Sequence, residues 1–388
     1  MTSHPDTSTW SPRTLAAQAL GAIDEPSRAL VPPIHVATTF IRDPDNAYSS
    51  GNIYGRPDNL TVREAEAIIA TLEGAAAAMV LGSGMSAATA VFLSLKPGDH
   101  VIAPQVMYWG LRHWLLHEAT DWGLRIELID TTDLDALKAA VRPGETKLIW
   151  LETPSNPMWT ITDIAAVAAI AHAAGARVAV DSTCATPLLT RPLELGADIV
   201  MHSATKYLNG HSDVIAGALA TRVQDEFWTR IRRTRSILGQ ILGPFEAYML
   251  IRGMRTLPLR VKAACDNAME LALRLSNHAG VAEVLYPGLP GHAGHDVARR
   301  QMTGGFGGML SIRVRGGEAK AIVTAARVTL WKRATSLGGV ESLIEHRASI
   351  EGAGSPCPPD LLRLSAGIED PEDLYRDIAQ ALTAAQSG

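Results

Sequence analysis

Lys206 stands in HSATKYLNGHSD (His202 to Asp213), directly after LGADIVM, which reads as a buried strand. A lysine there has two uses: its stem lies along apolar surface with the charge in water, or its amine is a nucleophile or base. Its neighbours favour the second. Ser203 and Thr205 flank it with only Ala204 between them, and Asp181 closes the strand RVAVD 25 residues earlier. Further back, LGSGMSAA reads as strand, glycine turn and helix, whose free N–H groups and dipole bind an anion at Ser83, Gly84 and Met85. Each feature alone has an ordinary structural reading. An acid to pair with a ring nitrogen, an amine able to form a Schiff base and hydroxyls beside an anion-binding turn together describe a pyridoxal 5′-phosphate site.

Other chemistries fit less well. GxGxxG is incomplete because Ala87 takes the third glycine's place, and no Gly-Lys-Ser/Thr follows to make a Walker loop. His292 and His295 have a metal-like spacing, but they lie in a Gly-Pro-rich stretch with no carboxylate pair or cysteine nearby, so no metal site is expected. Cys184 has no indicated base and reads as a small buried residue. Cys184, Cys265 and Cys357 are odd in number and widely spaced, which excludes a disulfide framework.

The elements that must position these groups alternate. TVREAEAIIATLEG is an amphipathic helix, N-capped by Thr61 and stopped by Gly74. Apolar strands are expected at AAAMVL, 100–104, 125–130, 147–152, 177–182 and 198–203, with helices between most of them. That alternation predicts a parallel sheet covered on both faces, with ligands at the carboxyl ends of its strands. After IRGMRTLPLRV the pattern changes to a long helix near 257–279, a few strands including GGMLSIRV and LLRLSAG, and helices near 317–327 and 371–385. The expected organisation is an arm (1–60), a large α/β domain (61–256) and a smaller α+β domain (257–388).

With 388 residues, 47% hydrophobic and 19% charged, the chain is globular and long enough for two domains. A net charge of −5 argues against a nucleic-acid partner, and RIRRTR (Arg230 to Arg235) reads as a solvated helix face. No apolar run is long enough to span a bilayer, and the first twenty residues do not form a signal peptide. The expectation is a soluble cytoplasmic protein without a membrane partner.

The motifs YGRPDNLT (54–61), GSGM (82–85), ETPSNP (152–157), VDSTCATP (180–187), HSATKYLNGHSD, SLGGVESLIEH (336–346) and LLRLSAGIED (361–370) resemble the Cys/Met metabolism family of pyridoxal-phosphate enzymes. This family contains cystathionine synthases, cystathionine lyases and methionine γ-lyases. The resemblance implies the fold of type I pyridoxal-phosphate transferases. It implies that Lys206 carries the cofactor as a Schiff base and shuttles protons, while Asp181 keeps the pyridine nitrogen protonated. The phosphate would be held by the turn at Ser83, Gly84 and Met85 with Ser203 and Thr205, and by Tyr54 and Arg56 of a neighbouring subunit. Tyr108 would stack on the ring and serve as acid or base. Asn156 would contact the cofactor or the substrate carboxylate, and Arg363, with Ser336 close by, would clamp that carboxylate. A homotetramer built as a dimer of dimers is implied.

The chain departs from the family where substrate is read. Trp109 follows Tyr108, and Thr335 stands where synthases and lyases of cystathionine carry Glu. HRASIEG replaces the usual HPAxMTH, introducing Arg347 and Glu351. These two are either solvated loop charges or, with Glu345, readers of a polar or cationic distal group such as that of canavanine. The expected activity is elimination of a heteroatom leaving group from Cγ or Cβ of an L-amino acid. The alternatives are γ-replacement on an activated homoserine and, in another class, a non-catalytic cofactor-binding regulator.

Overall fold

The computed structural model describes residues 2–352 and 354–387. The chain divides into two compact units: Met1–Lys96 with Asp198–Pro258, and Pro97–Ala197 with Leu259–Gly388.

In the first unit, helix Leu60–Glu73 buries Val62, Ala65, Ile68, Ile69 and Leu72 on one face and ends at Gly74 in the left-handed conformation (φ 64°). Its N-cap is Asn59, not Thr61: the Asn59 side chain accepts the N–H groups of Thr61 and Val62, while the Thr61 hydroxyl turns to the Pro33 carbonyl. Asn59 stands one residue outside the first turn, from where its amide oxygen reaches that turn's N–H groups, whereas Thr61 is already inside the helix. Strand Ala77–Leu81 pairs with Gly217–Thr221, which pairs with Ile199–His202. Both pairings are antiparallel, departures that a mostly parallel sheet allows. Helix Glu226–Leu238 carries the basic cluster; Arg232 and Arg233 are exposed, but Arg235 is buried and paired with Glu66 at 3.3 Å. The solvated-face expectation therefore fails at Arg235, because its position falls on the helix's inner stripe.

In the second unit, four parallel strands run in the order Arg177–Asp181, Thr146–Glu152, His100–Pro104, Arg125–Ile129. Their apolar side chains pack against helices Leu134–Ala140 and Ile164–Ala173 in one core. A five-stranded sheet has the order Val281–Leu285, Met309–Val314, Leu361–Ser365, Leu343–His346, Lys332–Arg333, antiparallel except for the last pair. It packs on helices Leu257–Leu275, Glu318–Arg327 and Pro371–Ser387, with Leu310, Ile312, Leu362 and Leu364 fully buried among them. Because side chains alternate along a strand, burying Leu362 and Leu364 in that core turns Arg363 to the other face.

Candidate active site

In the first unit, the glycine turn becomes a helix start. Helix Gly84–Phe92 is capped by Ser83, whose hydroxyl accepts the Ser86 N–H at 3.0 Å, and Ala87 bonds the Ser83 carbonyl. The N–H groups of Gly84 and Met85 are left without an intrahelical acceptor. Gly84 is required by close approach, since a Cβ there would lie 2.7 Å from Ser203 Oγ. The structure thus brings Ser83, Gly84, Met85 and Ser203 together, and the N–H groups of this helix start beside the Ser203 hydroxyl fit a phosphate, while the Ser83 hydroxyl donates to Ser86 Oγ at 3.0 Å and would have to exchange that bond.

Strand Ile199–His202 delivers the segment after it. Lys206 donates its backbone N–H to Ser203 O at 3.0 Å, and its carbonyl accepts from Gly210 at 2.7 Å, so a hydrogen-bonded turn fixes its backbone independently of the amine. Thr205 is committed locally: its hydroxyl donates to Ala216 O at 3.1 Å and accepts the Ala216 N–H at 3.0 Å. It has one proton, so contact with a phosphate requires that bond to Ala216 to be exchanged. Tyr54 and Arg56 are exposed, with the guanidinium 5.5 Å from the ring centroid.

In the second unit, Glu152 organises the loops in a way its motif did not reveal. Its two carboxyl oxygens accept the backbone N–H of Tyr108 at 2.7 Å and of Asn156 at 2.9 Å. It also lies in register with Asp181 on the adjoining strand. Burial, followed by the neighbouring Asp181 charge, pushes Glu152 up to about 8. Asp181 accepts the N–H and hydroxyl of Thr183. The Tyr108 ring is exposed and lies over Gly110, where a Cβ would come within 3.0 Å of three of its atoms. Trp109 turns to Arg112, whose guanidinium is 5.3 Å from its ring.

Arg363 is buried between neighbours in register on both sides, Ser311 and Glu345. It donates to Asn156 Oδ1 at 3.2 Å, to Ser336 O at 2.8 Å and to Glu345 Oε2 at 2.6 Å. Ser336 presents that carbonyl from a backbone held at φ 99°, a conformation a non-glycine residue rarely adopts. Thr335, beside it, is exposed. Arg347 and Glu351 are buried and ion-paired, which removes the solvated-loop alternative for both. Trp159 was also missed in the sequence. It is fully buried and donates to Ser311 Oγ at 2.8 Å, which in turn donates to Pro157 O, tying the loop of Asn156 to the sheet of Arg363. His295 spends Nδ1 on Pro287 O, and His292 accepts the Gly294 N–H, both within their own loop.

A profile of Cys/Met metabolism PLP-dependent enzymes matches residues 13–383. The chain belongs to this family. Cystathionine γ-synthase of Mycobacterium tuberculosis (strain ATCC 25618 / H37Rv) is 43% identical over 377 residues, covering 96% of each chain. Cystathionine γ-lyase of Rattus norvegicus is 40% identical over 383 residues, covering 95% of each. The crystal structure of metB from Corynebacterium glutamicum superposes with a TM-score of 0.94 at 41% identity, covering 98% of this chain and 100% of that one. As a Cys/Met metabolism enzyme, the chain has the α/β fold of type I pyridoxal-phosphate enzymes, with a mostly parallel sheet and a smaller C-terminal domain, and depends on pyridoxal phosphate. Among the described residues, no helix is long and apolar enough to cross a membrane.

The raised Glu152 value carries a sign. A carboxyl usually near 4.5 and held near 8 in the fold contributes stability that is fully present below about 4.5 and lost as pH rises through 8. Thermal midpoints from about pH 5 to about pH 8.5 should therefore fall more steeply in the parent than in Glu152→Gln. Parallel profiles would refute this assignment.

Proposed function

We propose that this enzyme is a lyase that eliminates a thiol or other heteroatom group from Cγ, or Cβ, of a sulfur amino acid. Lys206 is the lysine that binds the cofactor covalently and, with its amine freed, moves the proton from Cα. Asp181 holds a proton at the ring nitrogen, and Tyr108 stacks on the ring and serves the leaving group. The donors of Ser83, Gly84, Met85, Ser203 and Thr205 hold the phosphate, with Tyr54 and Arg56 of a second copy. When bound, the cofactor draws electrons from Cα, which makes its proton removable. Arg363, with Asn156 and Ser336, binds the substrate carboxylate, and Thr335 lies at the distal end. Elimination at Cγ consumes one water and yields a thiol, ammonia and a four-carbon 2-oxo acid.

The observation that carries this reading is the buried Arg363 fork, oriented by Asn156 and the strained Ser336 carbonyl, a donor set matched to a carboxylate. Glu345 and Glu351 are already ion-paired with Arg347, so the protein supplies the guanidinium that a canavanine-like substrate would have brought. This favours a neutral thioether over a cationic distal group. The arm exposes Ile41 (95%), Val36 (76%) and Leu30 (75%), surface that a second copy would cover. A cytoplasmic homotetramer and the division into 1–60, 61–256 and 257–388 belong to the same reading.

A second reading, γ-replacement on an activated homoserine, is favoured by the 43% identity to a cystathionine γ-synthase. The purified enzyme should release 2-oxo acid and thiol from methionine or cystathionine with no added thiol. Dependence of product formation on added cysteine, with cystathionine formed from an acylated homoserine, would instead establish replacement.

A further inference from the structure

Four charged side chains form a linear chain of ion pairs in the second unit, Arg363 to Glu345 to Arg347 to Glu351. Arg363 and Arg347 share a single oxygen, Glu345 Oε2, at 2.6 and 2.7 Å. Arg347 also reaches Glu351 Oε1 through Nε at 3.1 Å and Nη2 at 2.8 Å, and the other Glu351 oxygen accepts the Ser355 hydroxyl. Every one of these side chains is at most 7% exposed, and the set sums to zero charge. Burying two cations and two anions is costly unless each is paired, and the pairing here leaves neither carboxylate uncompensated. Arg347 and Arg363 are close enough for the Arg347 charge, after burial, to draw Arg363 down to about 10, still cationic at neutral pH.

The geometry points to Arg347 as a positioning residue for substrate: by sharing Glu345 Oε2 with Arg363 and neutralising Glu351, it leaves Arg363 with charge to offer an incoming carboxylate. This rests on the reading of Arg363 as the carboxylate clamp. Were Arg347 absent, the full Glu345 charge would fall on Arg363, and Glu351 would stand as an uncompensated anion nearby. An entering carboxylate would then have to displace one carboxylate and face the field of another.

The test is a set of variants assayed for KM and kcat on the preferred amino acid, with binding of an unreactive L-amino acid carboxylate as a probe. Arg347→Met is expected to raise KM and the probe's Kd about 10-fold or more with a much smaller change in kcat. Glu351→Gln keeps an amide oxygen for Arg347 and turns the Ser355 contact into a bond donated by the amide nitrogen, while it removes a negative charge, so KM and Kd should fall. Arg347→Met combined with Glu351→Gln restores the charge sum and should recover most of the lost affinity. A purely structural role would not reverse sign at Glu351 or recover in the double variant, and either failure overturns the proposal. Arg363→Ala separates the two readings: if it leaves carboxylate binding intact, the clamp assignment itself falls. If Arg363→Ala abolishes binding while Arg347→Met and Glu351→Gln change nothing, only the role of Arg347 falls.

Discussion

Lys206→Arg is expected to be as inactive as Lys206→Ala, with turnover reduced by about 1,000-fold or more in both. The arginine variant is the informative one. A guanidinium keeps the positive charge and a long apolar stem, so it would replace a lysine whose work was to lie on the surface. It stays protonated throughout the working pH range, so it can neither attack the cofactor carbonyl nor take a proton from Cα. Neither substitution touches the backbone bonds that set the turn, Lys206 N–H to Ser203 O and Gly210 N–H to Lys206 O. Both proteins should therefore fold and keep the arrangement of Gly84, Met85 and Ser203 proposed to hold the phosphate. Their visible spectra should lose the band of covalently held cofactor. Measurable turnover in Lys206→Arg near the parent level would reject the amine as the working group.

The sequence made the chemistry of single segments plain and hid the pairings between distant ones. Strand His100–Pro104 was bounded to the residue, and its five companions to within one at each end, because most are apolar runs ended by polar residues. Gly217–Thr221 was not legible: GALAT has only small side chains besides Leu219 and lacks the bulky β-branched residues that mark a strand. Lys332–Arg333 is two exposed charged residues at a sheet edge, which no hydrophobic pattern announces. Around Arg363, the motif pointed to a carboxylate clamp but not to what holds it. Arg347 and Glu351 look like loop charges until strand pairing sets Glu345 opposite Arg363, eighteen positions away. Glu152 likewise stood in plain view within ETPSNP, yet its hold on Tyr108 spans 44 positions. Burial of a charge is a property of such pairings, and composition or periodicity cannot foretell it.

The largest stability effect should come from a pair that the motifs also concealed. Glu73 closes helix Leu60–Glu73 and His202 closes the strand that leads to Ser203 and Lys206. Their side chains, 0% and 1% exposed, bond through Glu73 Oε1 and His202 Nε2. Glu73 Oε2 and His202 Nδ1 have no partner among the described residues, so each residue depends on the other for satisfaction. Glu73→Ala would leave a buried imidazole with no partner and a cavity beside it, at a cost of about 3 kcal/mol. His202→Ala should cost a similar amount, and the double variant much less than the sum, since once one partner is gone the other is already a liability. Replacing both by leucine should recover stability further, because apolar groups of that size need no partner in such a site. Thermal or denaturant midpoints of the four proteins test this, and additive losses would show that the two residues act independently. If the pair also fixes the strand end that positions Ser203, the single variants should release cofactor faster than the leucine pair at temperatures where all remain folded.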